Sequence, residues 1–585
     1  MLLKNNGIGD HHATRLALNE EGMEFDFMII GGGTAGTVMA SRLSENPGCR
    51  VLLVEAGDDI SPGAVPADIQ DAFPASSLNP NYFWKDLVAA ATDGGLPAPY
   101  PQARVMGGGS SINGMFALRG VPSDYTRWAD AGAGNFSWDT VLPYFRKVEK
   151  DRDRPGMSDG PHVISRTPKE QWPAFVRAME QAAQRAGLPF VNDINEQPGD
   201  GFFSMPLALD ADTRVTSTGS YLSAEVRARQ NLEILSNTQV TRLRMNGNVV
   251  SGADALRDDG TTVHLSARNV IVSAGGIYSP TILLRSGIGP AAELASLGIE
   301  MIVDRPGVGR NLQNHPYLFF ALTLPRGKRI AADLRRFAVA GLRASSRAPG
   351  CPEGDLFAFA IGRVSGESFG PDFALVGTAL YAPRSRGFVK LKSADPLVNP
   401  DINFRFLSDP ADPERMIKAA RLTERLLREP GVAAQYHEAF LLPGALSMKQ
   451  FNRPGLAGKV LAMAAEMAAN SPGPVRRAIF GRAFNSGKPA MYAGGGRQIS
   501  DDELLSSICP MGHPVGTCSM GKADDPMAVV DDEFRVHGIR NLFVIDASVM
   551  PTITSANTNL PTLMLAELAA DRIRARGSAI EGLAA

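Results

Sequence analysis

Gly31, Gly33 and Gly36 stand in the pattern G-x-G-x-x-G, and Glu55 follows 19 residues after Gly36. These residue types at this spacing can hold a dinucleotide. The first glycine permits a tight turn, the second lets the backbone approach a pyrophosphate, and the third allows close helix–strand packing. Thr34 and Ala35 open a helix whose free N–H groups suit an anion. An acid at the position of Glu55, with Ala56 beside it, accepts ribose hydroxyls. The positioning elements are legible around them. Residues 25–30 (FDFMII) read as a buried strand, Thr37 to Leu43 as a helix, and Arg50 to Val54 as a second strand. The pattern does not say which dinucleotide.

The chain has 585 residues, more than one core usually serves, so two or more domains are expected. A net charge of −2 gives no basic field for nucleic acid or an anionic membrane. With 60 glycines and 41 prolines, the composition suits a loop-rich α/β enzyme rather than a helical bundle. The four cysteines, Cys49, Cys351, Cys509 and Cys518, form no C-x-x-C pair or zinc spacing, so no metal is expected. Cys509 and Cys518 could lie close in space, but free thiols in a reducing compartment are expected. No secretory or membrane-spanning apolar run is present, and a cytoplasmic location is the default. Residues 1–22 read as a disordered leader, or as lying upstream of a start at Met23.

From Gly57 to about residue 103 the chain is irregular, which suggests a functional loop wrapped around a ligand. Arg104 to Met115 (RVMGGGSSINGM) follows, a backbone wall for a flat or anionic ligand. Residues 116–190 read mainly helical. From Asn231, short alternating runs with turns at Asn246-Gly247 and Asp259-Gly260 predict strands, with Val263 to Leu265 and Asn269 to Ser273 as separate ones. Residues 316–500 alternate β-like runs with helices at Pro413 to Arg428 and Leu456 to Ala469. This reads as a largely antiparallel sheet with helices on one face. Residues 459–469, rich in Met and Ala, read as a packed amphipathic helix; a mobile entrance or membrane contact are the alternatives. Near the end stand His513-Pro514-Val515-Gly516-Thr517, a buried strand ending at Asp546, and a last helix from about Leu560 to Arg574.

Taken together, these motifs resemble the glucose–methanol–choline (GMC) family of FAD-dependent oxidoreductases. The matching pieces are Gly31–Gly36 with Glu55, Arg104–Met115, Ser279-Pro280 with Ser286–Pro290, Pro306–His315, His513–Thr517 and Asp546–Asn559. They stand in family order from residue 25 to about residue 574. Within the family the pattern is most similar to bacterial alcohol oxidases of the 5-hydroxymethylfurfural oxidase type, with choline dehydrogenases and oxidases next.

The resemblance implies an α/β fold, α+β overall. A Rossmann-type FAD-binding domain comes from residues 23–160, 226–315 and 506–578. A separate substrate domain, built on a mostly antiparallel sheet covered by helices, comes from 161–225 and 316–505. It implies FAD held by Gly31, Gly33, Thr34, Ala35, Gly36, Glu55, Ala56, Arg104, Gly108, Ser110, Asn113, Gly114, Met115, Val240, Asp546, Ala547 and Thr558. Some relatives bond FAD to a histidine where this chain has Ile112, so noncovalent binding is expected. Of the eight histidines, His513 is implied as catalytic base, with Asn557, 44 residues on, as its partner. His315 and His537 are expected to be structural. The implied reaction oxidises a primary alcohol, aromatic, furanic or allylic, with O2 or a quinone-type acceptor taking the electrons. A choline-type dehydrogenase is the alternative. No nucleic acid and no integral membrane segment are expected, and the oligomeric state is open.

Overall fold

The structure, a computed structural model, describes residues 25–442, 452, 455–484, 489–492 and 495–584. The expected leader, 1–22, lies outside the described residues. Phe25–Ile30 and Val51–Val54 are the buried strands that their apolar runs predict, and Thr34–Leu43 is the helix between them. They lie in a parallel sheet ordered Leu232–Leu235, Val51–Val54, Phe25–Ile30, the second half of Thr262–Val272, and Leu542–Val544. Fully apolar strands such as VLLV suit a sheet covered on both faces.

Thr262–Val272 is one continuous strand, where the local pattern predicts two. Its first half alternates in exposure and pairs antiparallel with Val249–Arg257, which pairs in turn with Thr238–Asn246. From Ala267 it runs beside Phe25–Ile30 in the parallel sheet and becomes buried. The change of pattern marks a change of neighbours, not a break in the strand.

The second sheet is antiparallel throughout. Its order is Gly201–Ser204, Ala338–Ala344, Leu356–Ile361, Phe373–Leu380, Pro316–Thr323, Glu438–Leu442, Met491–Tyr492 and Gly495–Gly496. Cys509–Pro510 pairs with the start of Pro316–Thr323 and so brings the C-terminal segment onto this sheet. Helices cover both faces, not one. Phe320, Ala358, Ala360 and Val376 pack with Met416 and Ala419 of Ala411–Arg428. Phe319, Phe357, Phe359 and Leu375 face the other way, in a cluster with Ala462 and Ala465 of Leu456–Ala469. Because adjacent residues point to opposite faces, the unbroken apolar strands LFAFAI and FALVGTAL require a cover on each side.

The last helix, Asn559–Ala584, is longer than its apolar pattern predicts. It packs along Thr34–Leu43, where Arg42 forms a bridge to the buried Glu567 at 2.7 Å and Thr34 Oγ1 donates to Asn559 Oδ1 at 2.9 Å. The two ends of the chain thus share one helix–helix contact beneath the glycine turn.

Candidate active site

A cavity of about 780 Å³ opens at the carboxyl ends of the parallel strands and is lined from both sheets. That is where ligands sit in open α/β sheets. Its nucleotide end is built by close backbone contacts. A Cβ on Gly36 would stand 1.9 Å from the Gly31 carbonyl oxygen, so the helix meets the strand only with glycine there. Gly108 has φ +52°, and a Cβ on it would lie 2.8 Å from Gly33 Cα; the two glycine loops touch. The helix Thr34–Leu43 has no side-chain cap and no acid in its first turn, so its free N–H groups remain available to an anion.

Glu55 is buried, and its carboxylate accepts N–H bonds from Gly32 at 2.7 Å and Gly57 at 2.8 Å. Burial raises its pKa, opposed by these backbone bonds. Asp546 accepts from Gly275 N–H at 2.8 Å and from Ser548 N–H at 2.8 Å, and also from the Ser279 hydroxyl. It therefore ties the helix Gly275–Arg285 to the end of the strand Leu542–Val544. Uncapped N–H groups, a fixed acid and a wall of glycine backbone fit a dinucleotide.

At the other end, His513 and Asn557 meet: Nδ2 of Asn557 is 3.2 Å from Nε2 of His513, and both line the cavity. Behind them stands a residue that sequence reasoning assigned to structure. His315 is fully buried, and its Nδ1 lies 2.9 Å from Nδ1 of His513. Its Nε2 lies 3.1 Å from both the Tyr381 and the Thr554 carbonyl oxygens. Carbonyls only accept, so the His315 proton sits on Nε2 and its Nδ1 is a bare acceptor. Burial and the neighbouring His513 push the His315 pKa well down, which keeps the ring neutral. His513 must then donate from Nδ1, and the lone pair is left on its Nε2, facing the cavity. Burial lowers the His513 pKa to about 4.

The amide of Asn557 is oriented in the same way. The Tyr381 hydroxyl donates to Asn557 Oδ1 at 3.0 Å, which turns Nδ2 toward His513. The Tyr381 ring also stacks on His315 at 4.3 Å between centroids. Asn314 completes the frame. Its Oδ1 accepts from His315 N–H at 2.8 Å and from His513 N–H at 3.3 Å, and its Nδ2 donates to Tyr100 Oη at 3.0 Å.

The structure brings most of the sequence-derived site residues to this one cavity: Gly31, Gly33, Thr34, Ala35, Glu55 and Ala56 at the nucleotide turn; Gly108, Asn113, Gly114 and Met115 along one wall; and Val240, Asp546, Ala547, Thr558, His513 and Asn557 opposite. Three do not reach it. Gly36 is used for helix–strand packing. Arg104 turns away to Asp258 at 2.8 Å and lies over the Trp84 ring. The Ser110 hydroxyl donates to the Gly107 carbonyl at 2.6 Å and accepts from Ser217 N–H at 2.9 Å. His537 is structural, with Nε2 3.1 Å from the Gly521 carbonyl. Tyr100 and Trp84, from the long irregular stretch, do line the cavity.

Two sequence profiles described as GMC oxidoreductase match the chain, over residues 25–317 and 383–566. The chain is 38% identical to 5-(hydroxymethyl)furfural oxidase of Methylovorus sp. (strain MP688), over 94% of this chain and 98% of that protein. It is 31% identical to mitochondrial choline dehydrogenase of Mus musculus, over 94% of this chain and 89% of that one. The crystal structure of pyridoxine 4-oxidase from Mesorbium loti superposes with a TM-score of 0.76 and 28% identity, covering 94% of this chain and 99% of that one. The chain belongs to the GMC oxidoreductase family, and is an FAD-dependent oxidoreductase of the alcohol-oxidising type.

Proposed function

We propose that this chain oxidises a neutral primary alcohol, aromatic, furanic or allylic, to its aldehyde and passes the electrons to O2, giving H2O2. The observation that carries this reading is the unprotonated Nε2 of His513, its tautomer set by His315, lining the cavity beside the Asn557 amide. FAD, when bound, supplies flavin N5 as the acceptor of the hydride from the carbinol carbon. His513 takes the hydroxyl proton at Nε2, a contribution typically worth about 10²–10⁴-fold. The Asn557 Nδ2–H bonds to the substrate oxygen and stabilises the charge that develops there. An amide does not compete for the proton.

The substrate class rests on the cavity wall. The charged side chains that line it are Glu55, Arg285 and Asp546, and none of them bonds to His513 or Asn557. Tyr100, Phe116 and Tyr317 supply aromatic surface instead. A flat, uncharged alcohol matches such a wall. A choline-type substrate is the second reading, favoured by the same rings, which can attract a quaternary ammonium group through their faces. Ile112 lines the cavity and offers no nucleophile at the place where some relatives bond FAD to a histidine, which supports noncovalent binding.

Benzylic, furanic, aliphatic and quaternary-ammonium alcohols, mixed anaerobically with the FAD-loaded enzyme, test the reading. Fast bleaching by benzylic or furanic alcohols, with H2O2 formed on admitting air, is expected. Bleaching by choline alone, or slow reoxidation in air but fast reoxidation by a quinone dye, would replace it with the dehydrogenase reading. Flavin that stays with the polypeptide after acid precipitation would overturn noncovalent binding.

A further inference from the structure

The helix Leu456–Ala469 is packed on only one side. Gly458, Ala462, Ala465, Ala468 and Ala469 are buried, and the four alanines join the apolar cluster on one face of the antiparallel sheet. The opposite side is also apolar. Leu456 is 80% exposed, Val460 59%, Met463 60% and Met467 75%. Spaced at four, three and four residues, these four share one face along the whole helix. The next helix, Gly473–Ala483, exposes Val475 and Ile479 at the same kind of spacing. Seven of the thirteen large apolar side chains exposed among the described residues fall within these two helices. Soluble surfaces rarely gather apolar side chains in this way without a partner.

The charges choose the partner. Lys459 lies on the exposed face of the first helix, one turn from Met463, and Arg482 lies one turn beyond Ile479 on the second; both are exposed. Arg326 and Arg329 hold the turn between the helices by donating to Asn470 Oδ1 at 3.0 and 3.1 Å. Arg476 and Arg477 are directed inward to Glu438. The single acid of the two helices, Glu466, is half-buried. A second copy of the chain would bring the same cations to the interface. A negatively charged lipid surface would complement them.

We propose that the helical hairpin Leu456–Ala483 docks this enzyme on an anionic lipid bilayer. Leu456, Val460, Met463, Met467, Val475 and Ile479 enter the acyl boundary, and Lys459 and Arg482 meet the headgroups. None of the described helices is long and apolar enough to cross a membrane, so the contact is peripheral.

Flotation of the FAD-loaded full chain with phosphatidylcholine vesicles, with and without phosphatidylglycerol, tests this. Binding to the anionic vesicles, weakened by salt and poor on neutral ones, is expected. Met463→Glu with Met467→Glu should abolish flotation while leaving FAD content and turnover of a water-soluble alcohol unchanged. Lys459→Ala and Arg482→Ala should each lower partitioning by about fivefold. Absence of wild-type flotation on anionic vesicles, or flotation that survives the double glutamate variant, would overturn the proposal. A wild-type dimer that the same double variant converts to monomer would overturn it too, by assigning the face to a second copy.

Discussion

The Tyr381 hydroxyl lies 3.0 Å from Oδ1 of Asn557, and this contact decides which end of the amide faces His513. Tyr381 also gives its carbonyl to His315, so one residue holds both neighbours of the candidate base. Tyr381→Phe keeps the ring stack and the carbonyl but frees the amide to flip. A neutral hydrogen bond contributes about 0.5–1.5 kcal/mol, so kcat for alcohol-dependent flavin reduction should fall by roughly two- to tenfold with KM nearly unchanged. Steady-state kinetics of Tyr381→Phe, Asn557→Ala and the double variant check this. The two effects should not add, because both act through one amide.

His315→Phe tests the tautomer argument. The new ring can stack on Tyr381, but the Nδ1–H of His513 loses its acceptor and the Tyr381 and Thr554 carbonyls lose their donor. Leaving buried polar groups unpaired costs about 1–3 kcal/mol each. Flavin reduction should slow by roughly 10²-fold, while FAD content holds. Unchanged reduction would mean that His513 finds its productive tautomer without His315.

The pH profile follows from the burial of His513. Its pKa is depressed from 6.5 to about 4, so the ring is neutral and able to accept a proton above that value. kcat/KM should be level near neutral pH and should fall as pH drops through about 4. Stability has the same sign. The unfolded chain binds protons at His513 and His162 below 6.5, whereas the folded chain resists until about 4, so stability is lost as pH falls across that window. Rate–pH profiles and melting curves from about pH 3 to 8 check both.

Gly36→Ala separates packing from cofactor contact. The added methyl meets the Gly31 carbonyl at 1.9 Å, and overpacking of this kind costs about 1–3 kcal/mol or more. A lower melting temperature in protein stripped of FAD is expected. Gly108→Ala sets φ +52° against a side chain and presses on Gly33, so it should chiefly weaken FAD retention, read by flavin released on dilution.

The nucleotide end was legible because its residues lie close together in the chain. A glycine turn, its flanking strands and Glu55 occupy 31 residues, and local spacing carries the message. His513 and Asn557 were legible only through resemblance. His315 was not, because its meaning is a contact 198 residues away, made by strand pairing between Pro316–Thr323 and Cys509–Pro510. Tyr381 is silent for the same reason, lying 176 residues from Asn557. Arg104 and Ser110 show the converse. Each stands in a loop that lines the cavity, yet its side chain is taken by Asp258 or Gly107. For Leu456–Ala469, apolar residues all round the helix hid which face was buried.

His513→Ala, loaded with FAD and mixed anaerobically with a benzylic or furanic alcohol, tests the central claim most directly. Flavin bleaching should slow by about 10²–10⁴-fold relative to the unmodified enzyme, with FAD content unchanged. Bleaching at the unmodified rate would contradict the assignment of His513 Nε2 as the base.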